Sequence, residues 1–148
     1  MKQTFKGRPV VAGSVSGEAV VSRAGVNVLA SFQKDLLARK AAVASRDQNN
    51  PGLLGKVLTG KILCLPRTIG STTGGMILQK AIAAGLAPRA FLFSEPIDSL
   101  AAAGLVLAAV WNGAEAVAVD GLGEEFLAAV RDADKIEIRG DGTVVVGE

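Results

Sequence analysis

Short apolar runs that stop at turn residues and are followed by helical patterns constrain this chain most. Gly60–Lys61–Ile62–Leu63–Cys64–Leu65 ends at Pro66, Ala90–Phe93 ends at Ser94–Glu95–Pro96, and Glu115–Asp120 ends at Gly121. Runs this short, with no polar alternation in the first two, read as strands buried on both faces. The intervening segments carry helical spacing. One helix is predicted over about Gly75–Ala84, with Ile77, Leu78, Ala81 and Ile82 on one face and Gly85 and Pro88 as stop signals. Two shorter pieces are predicted at Ile97–Ala103 and Leu105–Trp111, and a further helix at Glu124–Arg131. Lys135–Arg139 and Thr143–Val146 form a hairpin across Gly140–Asp141–Gly142, and residues 9–22 read as two strands parted near Ser16–Gly17. The alternation predicts a mixed α/β domain with a central sheet or small barrel, one domain over residues 1–148.

One stretch breaks the pattern. Residues 31–51 are polar and charged, with a helical segment near Leu36–Val43 and a breaker at Asn49–Asn50–Pro51–Gly52, and the stretch runs on to about residue 55. They read as an irregular excursion from the core, a class of segment that often carries function.

The core has to be aliphatic. Hydrophobic residues make up 49% of the chain but aromatics only 4%, with one Trp and no Tyr. Few stacking side chains, a net charge of +2 and scattered basic residues argue against a nucleic-acid partner. The absence of histidine, with Cys64 the one cysteine, excludes disulfides, Cys/His zinc sites and Ser-His-Asp triads within the chain. Cys64 lies between Leu63 and Leu65 and reads as a buried structural thiol. The N-terminal segment has no sustained apolar stretch of the secretory kind, and Leu100–Trp111 is too short to span a bilayer. The expectation is a cytoplasmic protein with no membrane contact.

The segment best suited to chemistry is Leu65–Pro66–Arg67–Thr68–Ile69–Gly70–Ser71–Thr72–Thr73–Gly74–Gly75, which joins a strand end to a helix start. Backbone N–H groups at a helix N-terminus are unpaired and partly positive, so they receive anions. Gly70, Gly74 and Gly75 would allow close approach to the backbone, and Ser71, Thr72 and Thr73 add hydroxyls. Two readings stand side by side: an anion or catalytic site, or a helix start that Ser71 or Thr72 merely caps. The spacing is not that of a P-loop.

The pattern strand, Leu-Pro, three residues, Gly-Ser-Thr-Thr-Gly and helix resembles the small subunit, or swivel domain, of the aconitase X enzymes. The resemblance extends to Gly13–Ser14–Val15–Ser16–Gly17–Glu18–Ala19, Ser31–Phe32, Gly60–Lys61–Ile62–Leu63, Ala81–Ala90, and Asp98 with Leu100, Gly104 and Ala108. It implies a swivelling β/β/α fold, a small barrel with flanking helices. It also implies a hydro-lyase (dehydratase) active only as a heterodimer or higher assembly with a large subunit. This chain would bind no cofactor alone, and the large subunit would hold an iron–sulfur cluster or other metal and most contacts to a small carboxylate substrate. By position, Ser71 matches the catalytic base, while Gly70, Thr72 and Thr73 match neighbours that bind substrate. Ile69 stands where the family often has Arg, so the cation would come from Arg67 or from the large subunit. Glu95 and Asp98 read equally as helix-start residues and as residues lining the site. The substrates implied are cis-3-hydroxy-L-proline and, as an alternative, mevalonate 5-phosphate. A phosphoryl-carrying swivel domain would need a histidine near Gln79, which this chain lacks. A non-catalytic binding module, with residues 33–51 as its contact surface, remains the competing class.

Overall fold

The computed structural model describes residues 2–147. Its central feature is a rolled sheet whose two edges are neighbours in sequence. Strands β1 (Gln3–Lys6) and β2 (Arg8–Val11) are separated by Gly7 alone, yet they occupy opposite ends of the strand order β1-β10-β9-β3-β5-β7-β8-β2. The remaining members are β3 (Val15–Val21), β5 (Ile62–Leu65), β7 (Ala90–Phe93), β8 (Val117–Asp120), β9 (Lys135–Ile138) and β10 (Thr143–Val146). One residue can join both edges only if the sheet curls into a nearly closed barrel. At the seam the Gly7 N–H donates to the Gly142 carbonyl at 3.0 Å. A Cβ on Gly142, whose φ is +90°, would lie 2.3 Å from the Gly7 carbonyl oxygen, so the seam requires glycine there.

Strands β3, β5, β7 and β8 are parallel, and the others pair antiparallel. The two central parallel strands, β5 and β7, are buried on both faces, as their unbroken apolar runs predict. Ile62, Cys64, Ala90 and Leu92 point into the barrel, where Phe126 of α4 (Glu124–Ala129) plugs the core and packs edge-on against Phe5 at 5.3 Å. Leu63, Leu65, Phe91 and Phe93 face the other way, toward α1 (Val28–Leu37), α2 (Thr73–Ala83) and α3 (Ser99–Asn112). Cys64 is fully buried, and that burial pushes its thiol pKa upward.

Several boundaries differ from the sequence reading. The break between β2 and β3 falls at residues 12–14, so Ser16 and Gly17 lie within β3. Ile97–Ala103 and Leu105–Trp111 are not two helices. They merge into α3, with Gly104 in its middle. The helix expected near Leu36–Val43 forms earlier, as α1, which Asn27 caps by accepting from the Ala30 N–H at 3.1 Å. Its buried face carries Val28, Ser31, Phe32 and Asp35, and the two polar members hide the apolar period. The chain after α1 is irregular as far as β5, apart from an isolated bridge between Ala44 and Val57, yet it packs on the core. Val43, Leu53 and Leu58 are fully buried in the core on the helical side, and Ser45, Asp47 and Asn50 are buried with them. The Asp35 carboxylate ties α1 to this lobe, accepting from the Ala44 N–H at 3.0 Å and from Arg46 at 3.0 Å.

Asp35, Asp120 and Asp132 share an electrostatic situation. Burial pushes each carboxyl pKa up, but hydrogen bonds and cations outweigh it and leave all three below the ordinary value. For Asp35 the opposing contacts are the Ala44 N–H and Arg46. For Asp120 they are Arg8 and the Ile97 N–H, and for Asp132 they are Lys56 and the Val21 N–H. A depressed folded pKa stabilises the fold above the unfolded carboxyl pKa, and that stability is lost as pH falls through the folded value. Thermal melts should therefore be level from pH 8 to 5 and fall steeply below about pH 4. In Asp35→Asn the midpoint should be lower at neutral pH and the fall below about pH 4 shallower.

Candidate functional site

The parallel strands send their C-terminal ends to one edge of the sheet, and the helices that follow begin there. The chain leaves β3 through a turn into β4 (Val26–Asn27), which leads directly into α1. It leaves β5 through Pro66–Arg67 into β6 (Thr68–Ile69), which leads into α2. Strands β4 and β6 pair in parallel, Val26 opposite Thr68 and Asn27 opposite Ile69. That pairing sets the starts of α1 and α2 side by side. The start of α3 joins them through its cap, Asp98, which accepts from the Ala101 N–H at 3.0 Å. The same carboxylate accepts from the Thr68 N–H at 3.0 Å and the Thr68 hydroxyl at 2.5 Å. Three helix N-termini thus converge on the turn of residues 69–72, which bears Ser71. A narrow gap between packed elements lies there, too small for a water molecule, lined by Ser71, Gly74, Val28, Leu100 and Ala101 among others.

Gly70, Ser71, Thr72 and Thr73 are all exposed on this turn. Gly70 has φ +113° and packs against the Asn27 side chain; a Cβ there would sit 3.0 Å from Asn27 Oδ1. The turn is closed by backbone alone, with the Gly74 N–H donating to the Ser71 carbonyl at 2.9 Å and the Gly75 N–H to the Thr72 carbonyl at 3.3 Å. Thr72 occupies the N-cap position without a side-chain capping bond. The capping role considered for these hydroxyls is therefore not what closes the turn. Ser71 is exposed beside the partly positive start of α2.

Two expected neighbours have other duties. Gly74 and Gly75 are buried, and a Cβ on them would lie 3.6 Å from Val28 Cβ and 3.1 Å from the Leu100 carbonyl oxygen. They serve the packing of α2 against α1 and α3, and only Gly70 remains on the exposed turn. Arg67 pairs with Glu95 at 2.8 Å, both about half exposed. Asp98, which the sequence left between helix start and site, is the residue that connects them. Trp111 is 74% exposed at the far end of α3, whereas Phe32 is in the core.

Among the described residues, no group of three His, Cys, Asp or Glu side chains is placed to hold a metal ion. No helix among them is long and apolar enough to cross a membrane.

Comparison with known proteins agrees with this architecture. The chain is 36% identical over 119 residues to the cis-3-hydroxy-L-proline dehydratase of Pseudomonas aeruginosa, which covers 80% of this chain and 19% of that protein. The chain thus spans about a fifth of that relative's length. It is 31% identical over 142 residues to the phosphomevalonate dehydratase small subunit of Aeropyrum pernix, covering 96% of this chain and 92% of that one. The crystal structure of holo-form aconitase X from Thermococcus kodakaraensis superposes with a TM-score of 0.81 at 26% identity, covering 99% of both chains. The aconitase X swivel domain model matches residues 4–146, and the chain belongs to that family.

Proposed function

We propose that this chain is the small, base-carrying subunit of an aconitase X-type hydro-lyase, and that Ser71 takes the proton from the carbon beside the substrate carboxylate. The observation that carries this reading is the Ser71 hydroxyl, exposed on a backbone-closed turn where three helices begin. A base has to lie within hydrogen-bond reach of the proton it removes. A serine alkoxide is strong enough but costly to form, and oriented helix N-termini lower that cost. The substrate's α-proton passes to the Ser71 alkoxide and its β-hydroxyl leaves as hydroxide, which takes that proton up from Ser71 to depart as water, regenerating the alkoxide and leaving a carbon–carbon double bond next to the carboxylate. The Thr72 and Thr73 amides and hydroxyls and the Gly70 backbone receive the carboxylate. An iron–sulfur cluster or other metal in the large subunit would supply Lewis-acid assistance to the departing hydroxyl. Closure of the two subunits over the turn excludes water.

The substrate we assign is cis-3-hydroxy-L-proline. The turn offers one cation, Arg67, and Glu95 already neutralises it. A phosphorylated substrate such as mevalonate 5-phosphate calls for charge-assisted contacts that the turn does not present. Glu95→Gln should release Arg67. We expect little change in fold stability, since exposed pairs contribute about 0–1 kcal/mol, and better binding of phosphorylated substrate, read as a lower KM.

The test is co-purification with candidate large subunits, followed by an anaerobic dehydration assay on both substrates. The expected result is a stable complex that dehydrates cis-3-hydroxy-L-proline. A monomer that captures no partner would overturn the two-subunit reading in favour of a binding module.

A further inference from the structure

The geometry points to Asp98 as the positioning residue of the Ser71 turn, an inference that rests on the assignment of Ser71 as base. Each of its oxygens is committed. Oδ1 accepts from the Thr68 N–H at 3.0 Å, while Oδ2 accepts from the Thr68 hydroxyl at 2.5 Å and the Ala101 N–H at 3.0 Å. Thr68 is buried, whereas Ile69 to Thr73 are exposed. Asp98 therefore grips the last buried residue before the turn. Gly70, at φ +113°, would otherwise let the turn pivot.

Asp98 is itself anchored. The neighbouring Ile97 N–H donates to Asp120 Oδ2 at 2.7 Å, and Arg8 holds Asp120 through contacts of 3.0 and 2.7 Å. A continuous path of short contacts thus runs from Arg8, on the strand that closes the barrel, through Asp120, Ile97, Asp98 and Thr68 to the turn. Asn27 packs against Gly70 from the other side, at the start of α1. The turn is held on the α1 side by shape and on the α3 side by charge-assisted hydrogen bonds. A displacement of about 1 Å at a reacting group can cost 100-fold in rate, so a fixed turn has catalytic value.

Helix capping and positioning can be separated. Thr68→Val removes only the hydroxyl contact and leaves the α3 cap intact. Asp98→Asn can still cap α3 through its remaining oxygen, since Asn caps as well as Asp. Its amide then faces the Thr68 N–H, donor against donor. Thr68→Ser keeps the hydroxyl.

In the complex with the large subunit, kcat should fall at least about tenfold in Thr68→Val and Asp98→Asn, with KM within about twofold. Thr68→Ser should retain near wild-type turnover. In parallel, hydrogen exchange of the Gly74 amide, which donates to the Ser71 carbonyl at 2.9 Å, should quicken about fivefold in Thr68→Val but not in Thr68→Ser. Unchanged kcat and exchange in Thr68→Val and Asp98→Asn would overturn the proposal, as would equal impairment in Thr68→Ser. If Ser71→Ala proves active, the base assignment fails, and the exchange measurement still decides whether Asp98 holds the turn.

Discussion

Ser71→Ala should leave the fold and the complex intact and reduce kcat about 10²- to 10⁴-fold, the range that a positioned general base contributes. The stability half of this expectation follows from the turn. Ser71 is exposed, the helix start is closed by the Gly74 and Gly75 amides on backbone carbonyls, and Thr72 makes no side-chain cap. Removing a hydroxyl from such a position changes stability by no more than about 0.5 kcal/mol. A capping serine would behave in the opposite way, with a loss of about 1 kcal/mol and no direct effect on chemistry. Melting of the isolated chain, size-exclusion of the complex and turnover of the reconstituted enzyme separate the two. Lost turnover with an unchanged melt and an intact complex makes Ser71 a catalytic residue. Retained turnover removes it from the mechanism, and the base assignment fails.

The legible parts of this fold are those where local pattern and tertiary role coincide. The runs Ile62–Leu65 and Ala90–Phe93 read as strands buried on both faces because they are covered on both faces, by helices outside and by the barrel core inside. The turn from Arg67 to Gly75 is legible as a strand-to-helix connection, because an apolar run stopped by Pro66 precedes it and a helical period follows it. The illegible parts are those where polar residues do core work. Ser31 and Asp35 sit on the buried face of α1, and Ser45, Asp47 and Asn50 lie inside the lobe that follows it. A pattern of apolar spacing assigns all of them to the surface. Strand β1 is illegible for another reason. Gln3–Lys6 is short and mostly exposed, and its partner β10 lies at the other end of the chain. Asp98 was visible as a helix-start residue, but its grip on Thr68 is a contact across 30 positions that spacing cannot show. The pairing of Arg67 with Glu95 is of the same long-range kind.

Gly104 supplies the second large effect, and here sequence and structure predict opposite signs. In a solvated helix interior, Gly→Ala stabilises by about 1 kcal/mol. Gly104 lies in the middle of α3, so propensity alone would recommend the change. The packing forbids it. A Cβ on Gly104 would sit 2.8 Å from the Gly75 carbonyl oxygen and 3.1 Å from Leu78 Cβ, both on α2. From the other side, a Cβ on Gly75 would meet the Leu100 carbonyl oxygen of α3 at 3.1 Å. Two glycines therefore allow α2 and α3 to approach backbone to backbone at their N-terminal halves. The first obstacle is a carbonyl in a helix, which cannot rotate away as a side-chain tip can. Gly104→Ala should destabilise the chain by about 1–3 kcal/mol, the usual range for overpacking. For a chain of this size that lowers the melting temperature by roughly 2–4 °C per kcal/mol, with far-ultraviolet helicity unchanged. Gly104→Leu should prevent folding altogether. The consequence reaches the chemistry because Ser71 stands just before the first turn of α2. A wedge between α2 and α3 displaces that turn from Asp98, so Gly104→Ala should also reduce kcat in the complex by more than its stability loss explains at a temperature where the chain remains folded. A higher melting temperature in Gly104→Ala would mean that the two helices are not in backbone contact, and that the turn is positioned by some other means.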